Sequence, residues 1–108
     1  MSKNSEFPVR GTIPDATFNQ LLQTKTVDIE DKQIKIGDKI AYNQTTRYVY
    51  FVGIGEVIDI SLYWAKQWNN TLNRVEPDMK IENIKIECKI KQSNGPKIIR
   101  LAKQIVKI

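Results

Sequence analysis

Residues 34–57, IKIGDKIAYNQTTRYVYFVGIGEV, constrain the fold more than any other stretch of the chain. They read as two β-strands joined by a short polar connection. Gly37-Asp38 supplies a turn leading in. Valine, isoleucine, tyrosine and phenylalanine dominate from 48 to 60, the composition of a pleated, half-buried surface. Gly53 and Gly55 stand two apart and so share one face of the second strand. Positions without a side chain there permit a bend, or the close approach of another element. Strands of this kind curl into a small barrel, with the polar connection at its mouth.

The flanks extend the same pattern. Residues 7–13 read as a short strand, and Pro14 and Asp15 open a helix that ends near Thr24 or Lys25. Phe18, Leu21 and Leu22 form its apolar face. Residues 26–32 are a short strand or an extended loop. Residues 61–72, SLYWAKQWNNTL, have helical aromatic spacing, with Ser61 as a candidate N-cap. From 79 to 91, Ile84, Ile86, Cys88 and Ile90 alternate with Lys85, Glu87, Lys89 and Lys91, the signature of a strand with one apolar and one charged face. A turn follows at 93–96. The segment 97–108 places Ile98, Leu101, Ala102, Ile105 and Val106 at helical spacing, while its Ile and Val content also suits a strand. The expected fold is α+β, mainly β: an antiparallel or mixed barrel of five to six strands with two or three peripheral helices.

At 108 residues the chain is one domain. Its polar start and the lack of an apolar run of membrane-spanning length point to a cytoplasmic setting. Histidine is absent and Cys88 is the single cysteine. A Ser-His-Asp or Cys-His nucleophile therefore cannot be assembled, nor a His-ligated or Cys-rich metal centre. The carboxylates show no ligand spacing. Neither a cofactor nor catalysis is expected. The net charge of +5 is uneven: residues 1–60 carry 7 Lys+Arg against 8 Asp+Glu, and residues 61–108 carry 10 against 4. Such asymmetry suits a polyanionic partner, and it equally suits a lysine-solvated surface.

The order of a helix after the first strand, then IGDKIAYNQ, then YVYFVGIGEVIDI, then an aromatic insert resembles the PUA-like superfamily, which includes the EVE, ASCH and YTH domains. The likeness is best over residues 34–60, where Gly37-Asp38, Tyr42-Asn43 and FVGIGEV at 51–57 occupy the places of the EVE-like pattern. The resemblance implies a single PUA-like domain over 7–108 behind a flexible tail at 1–6. It also implies binding of RNA or of a modified base. The chain is shorter than typical EVE or YTH domains. The clustered Lys, Glu and Arg of ASCH domains are missing after the first helix, which tells against a nucleoside hydrolase.

On this reading the ligand residues are Tyr42, Asn43, Gln44, Thr45 and Arg47 at the mouth, whose amides and hydroxyls suit a base edge and whose guanidinium suits a phosphate. Tyr63, Trp64 and Trp68 are candidates for an aromatic wall on which bases stack. The same pair of tryptophans, four apart, equally suits a core contact. Arg10, Arg74 and Arg100 are candidate phosphate contacts, as are Lys85, Lys89, Lys91 and Lys97. The expected partner is RNA, or single-stranded or modified DNA, and not a membrane. The second reading is a small protein-interaction module of viral or mobile-element type, with 97–108 as its docking helix.

Overall fold

The structure is a computed structural model that describes residues 6–45, 50–93 and 95–108, the backbone alone at 44, 45 and 50–52. One α-helix, α1 (Asp15–Lys25), precedes seven strands: β1 (Lys39–Thr45), β2 (Tyr50–Tyr63), β3 (Lys66–Asn69), β4 (Arg74–Pro77), β5 (Lys85–Gln92), β6 (Ile98–Leu101) and β7 (Ile105–Lys107). Five of them form an antiparallel sheet in the order β6-β5-β2-β1-β7, and β3 and β4 form a separate two-stranded ribbon. Among the described residues no helix is long and apolar enough to cross a membrane.

The glycine-bearing strand is the spine of the sheet. β2 pairs with β1 over Lys39↔Glu56 to Thr45↔Tyr50 and with β5 over Gly55↔Gln92 to Tyr63↔Lys85. The register shifts between Val57 and Asp59. That one-residue bulge returns Ile60 and Leu62 to the side on which Val57 is buried. The turn expected at 37–38 anchors the entry to β1. Gly37 has φ 99°, a conformation that favours glycine. Its N–H donates to the Val57 carbonyl at 2.7 Å, and the Asp38 carboxylate accepts the Lys35 N–H at 2.8 Å.

The sheet curls so far that its two outer strands are joined by three residues. β6 lies on one edge and β7 on the other, with only the 3-10 turn Ala102–Gln104 between them. No ladder links β6 to β7, so the expected closed barrel is an open one with a seam. Inside the curl lie Ile34, Ile40, Tyr42, Val57, Cys88, Ile90, Ala102 and Ile105. A second cluster, Val9, Phe18, Leu21, Leu62 and Trp64, packs α1 against the far end of β2, with Ile60 and Ile86 shared between the two.

Helix α1 has the boundaries and the buried Phe18 and Leu21 that its spacing predicts. Residues 7–13 form only isolated bridges, tied to β2 by Val9 N–H to Leu62 O at 3.0 Å and Trp64 N–H to Phe7 O at 2.8 Å. Two or three helices were expected, and α1 is the one α-helix among the described residues. Segment 61–72 finishes β2 and becomes β3. Its Asn-rich stretch is a turn, with Asn73 at φ 54°, a geometry asparagine tolerates better than most residues. Segment 97–108 is strand, 3-10 turn, strand. A single helical turn between two strands mimics helical periodicity.

Residues 1–5 of the expected tail lie outside the described residues, while Glu6 is ion-paired to Lys66 at 3.9 Å and Lys85 at 3.8 Å. Cys88 is fully buried, and burial pushes its thiol up to about 11. Because the thiolate is the reactive form, the native protein is expected to resist thiol alkylation at neutral pH and to react only on unfolding. Mass spectrometry after iodoacetamide treatment, with and without denaturant, reads this directly.

Candidate functional site

Where the seam opens, β1 runs on past the end of β7. The β1–β7 ladder covers Ile40, Ala41 and Tyr42, so from Asn43 onward β1 has no neighbour on that side within the sheet. The gap is a cleft of about 330 Å³ lined by Ile29, Asn43, Arg100, Lys103 and Gln104. Two amides and two cations thus converge from distant parts of the chain beside one apolar side chain. Among the described residues no group of three or more His, Cys, Asp or Glu is placed to hold a metal ion.

Each wall is fixed from behind. Tyr42 is buried beneath the cleft, its hydroxyl donating to the Gln92 Oε1 atom, and Gln92 in turn donates through Nε2 to the Pro96 carbonyl at 2.6 Å. A Cβ on Gly53 would collide with the Tyr42 ring, so this glycine is what lets the ring lie across β2. The Arg100 guanidinium sits over that ring, 5.6 Å from its centroid, and donates to the Ile99 carbonyl at 3.0 Å. Stacking on an aromatic face holds a planar cation without neutralising it. Arg100 has no carboxylate partner among the described residues. Lys103 donates to the Asp31 carboxylate at 2.8 Å, an exposed pair of the kind that contributes little to stability.

Across the turn, Asp28 ties the seam to β7. It is fully buried, and burial alone would raise its pKa. Backbone N–H groups of Lys107, Lys32 and Glu30, together with the Lys32 charge, outweigh that and hold the carboxyl below its ordinary value. The bonds are 2.8 Å to Lys107, 2.9 Å to Lys32 and 2.8 Å to Glu30.

The structure therefore brings together Tyr42, Asn43 and Arg100 from the residues singled out in the sequence. Gln44 and Thr45 continue β1 as backbone, paired with Phe51 and Tyr50, and Arg47 lies outside the described residues. Trp64 is core: it is 2 % exposed, and its Nε1 donates to Thr12 Oγ1 at 3.0 Å. Trp68 is 56 % exposed on the ribbon. Neither tryptophan lines the cleft: Trp64 lies just past the end of β2 and Trp68 on β3, because the chain leaves the sheet at Trp64-Ala65. Tyr63 ends β2 on its outer face, in a shallow groove with Asp59, Ser61, Glu87, Lys89 and Ile99. Arg10 covers the Phe18 ring at 4.7 Å, and Arg74 is paired to Glu76 at 3.3 Å.

The lysine ladder of β5 is largely matched across strands. Lys91 faces Glu56 and Lys89 faces Asp59 on β2, while Lys85 reaches Glu87 at 3.8 Å. Ile29, Lys103 and Gln104 of the cleft escape a sequence reading. Lys103 and Gln104 fall on the polar side of what reads as a helix, and nothing in their spacing announces a seam. Comparison with protein-family models, with curated proteins and with solved structures returns no match to this chain.

Proposed function

We propose that the protein is a non-catalytic nucleic-acid-binding module that holds a single strand, RNA or single-stranded or modified DNA, at the seam of its curled sheet. The observation that carries this reading is the convergence of Asn43, Arg100, Lys103 and Gln104 on one cleft. Arg100, exposing a charge that no described carboxylate neutralises, contacts a phosphate or stacks on a base. The amides of Asn43 and Gln104 offer both donor and acceptor to a base edge. Stacking on a Trp64–Trp68 wall is not part of this mechanism, because Trp64 is enclosed in the core.

Charge distribution supports the same reading. Residues 84–108 hold seven Lys and Arg against the single acid Glu87, so the whole positive excess lies on β5, β6, β7 and their connections. The likeness of residues 34–60 to PUA-like domains points the same way, and a PUA-like scaffold and a cytoplasmic setting belong to the proposal.

Fluorescence anisotropy with labelled single-stranded RNA and DNA tests it. Binding is expected at low salt and should fall linearly with log salt concentration. Arg100→Ala should weaken it by roughly tenfold and lower the salt slope by about one, the signature of one lost phosphate contact. Asn43→Ala should weaken binding and leave the salt slope unchanged. A wild-type protein that binds neither RNA nor DNA at low salt overturns the reading.

A further inference from the structure

The two cations of the seam differ in how they are held. Arg100 rests on an aromatic ring, whereas Lys103 is engaged by a carboxylate from the loop beside it. That loop, residues 27–33, lies along the outer edge of β7 as a strap. A Val27↔Gln33 bridge closes it, and its Ile29 N–H donates to the Ile105 carbonyl at 3.2 Å. Its tip is folded by Asp28 N–H to Lys32 O at 2.9 Å and Asp31 N–H to Asp28 O at 3.0 Å. Three carboxylates stand on this strap. Asp28 is taken up by backbone N–H groups, and Glu30 pairs with Lys32 at 3.5 Å. Asp31 turns to the seam instead. It accepts from Lys103 Nζ at 2.8 Å, and the same ammonium donates to the Asp28 carbonyl at 3.4 Å.

This pair is built to be exchanged. The Asp31 and Lys103 side chains are 82 % and 59 % exposed, so their attraction is weak and screened by salt. Lys103 also lines the cleft, and an ammonium released by Asp31 therefore serves an anion there. Backbone geometry does not account for the carboxylate. Asp31 has φ 64°, which glycine adopts more readily and asparagine equally well. What aspartate adds at this position is a negative charge that neutralises one of the two cations of an empty cleft. A carboxylate tethered in this way acts at a roughly millimolar effective concentration. A dilute free anion leaves the pair closed. A strand already held at Arg100 presents its next phosphate at a comparable effective concentration and opens it.

We propose that Asp31 is a tethered competitor for the seam: it holds Lys103 in the free protein and yields it to a phosphate when a single strand binds. The inference rests on the nucleic-acid reading above and names the residue that restrains that site. It makes the seam selective for a linked run of phosphates over isolated anions, at a cost in affinity for both.

A double-mutant cycle tests it, read by anisotropy of labelled single-stranded RNA and DNA oligonucleotides on the full chain. Asp31→Asn keeps the size of the side chain and tolerates the backbone angle, so its circular dichroism spectrum and melting should match the wild type. It should bind roughly threefold tighter at low salt, with a steeper salt dependence, and the gain should vanish near 1 M salt. The same substitution made in Lys103→Ala should change affinity little, because the cation that Asp31 restrains is gone. Equal gains in the two backgrounds would reveal a general charge effect and overturn the proposal, while nucleic-acid binding stands. An Asp31→Asn protein that binds no tighter than a binding-competent wild type overturns it in the same way. If neither the wild type nor Asp31→Asn binds at low salt, the nucleic-acid reading falls and the competitor falls with it.

Discussion

Asp28→Ala is expected to lower folding stability by about 3 kcal/mol, since a hydrogen bond to a charged group contributes ~1.5–3 kcal/mol and three are lost at once. The N–H groups of Glu30 and Lys32 lie in an exposed loop and recover water. The N–H of Lys107 does so less well, because it lies between β7 and the loop that covers it. Urea denaturation should show a lower midpoint at an unchanged slope, the mark of a stability change without a change in the surface exposed. The effect should depend on pH in a definite direction. The folded carboxyl titrates below its unfolded counterpart, so its stabilisation is fully present above the unfolded value of about 4. It is lost as the pH falls through the lower folded value. The gap between the wild type and Asp28→Asn should therefore be widest near neutrality and close in acid. A gap that stays constant down to acid pH would show that the charge on Asp28 plays no part.

Gly55→Ala should be comparably damaging for a steric reason. A Cβ there would stand 2.5 Å from Ile90 Cγ2 and 2.8 Å from the Lys91 carbonyl oxygen. The methyl group could turn aside, but the carbonyl belongs to β5 where it pairs with β2. Relief requires the two central strands to part. Overpacking of this kind costs about 1–3 kcal/mol, and the backbone position of the clash puts Gly55→Ala at the upper end. For a domain of this size each kcal/mol lowers the melting temperature by roughly 4–8 °C, so calorimetry should show a drop of about 10 °C or more. Gly55→Val should go further, toward a chain that no longer folds at physiological temperature. An alanine variant that melts with the wild type would mean that the strands tolerate separation at this point.

How far the sequence reveals these features depends on whether each signal is local. The Gly37 turn and helix α1 are written in consecutive residues, and the structure has them where the pattern puts them. Strand β1 runs past Tyr42 to Thr45, into what reads as the polar connection, and β5 starts only at Lys85, because Ile81–Asn83 of the expected 79–91 strand form a 3-10 turn. The close approach at Gly53 and Gly55 is legible for the same reason: two missing side chains on one face of a strand have few other uses. Trp64 and Trp68 mislead because a spacing of four satisfies both a helix and a strand, and the bend at Ala65 gives the two rings different surroundings. Ile98, Leu101, Ala102 and Ile105 mislead differently. Three residues of 3-10 turn between two strands bury positions on both sides of it and reproduce helical spacing. The seam is legible nowhere, because it arises from where two non-neighbouring edges come to rest. Asn43 and Arg100 could be suspected from their chemistry, but only the topology makes them neighbours.

One segment, residues 98–107, supplies both borders of the sheet. Neither border can therefore be completed independently of the other. A fluctuation that lifts β7 from Ile40, Ala41 and Tyr42 pulls on the turn that holds β6 against residues 87–90. A disturbance on one rim thus travels to the other through three residues of backbone, without crossing the sheet. Any occupant of the seam would bear on that short tether, and the tether would carry the effect to strands that the occupant never touches.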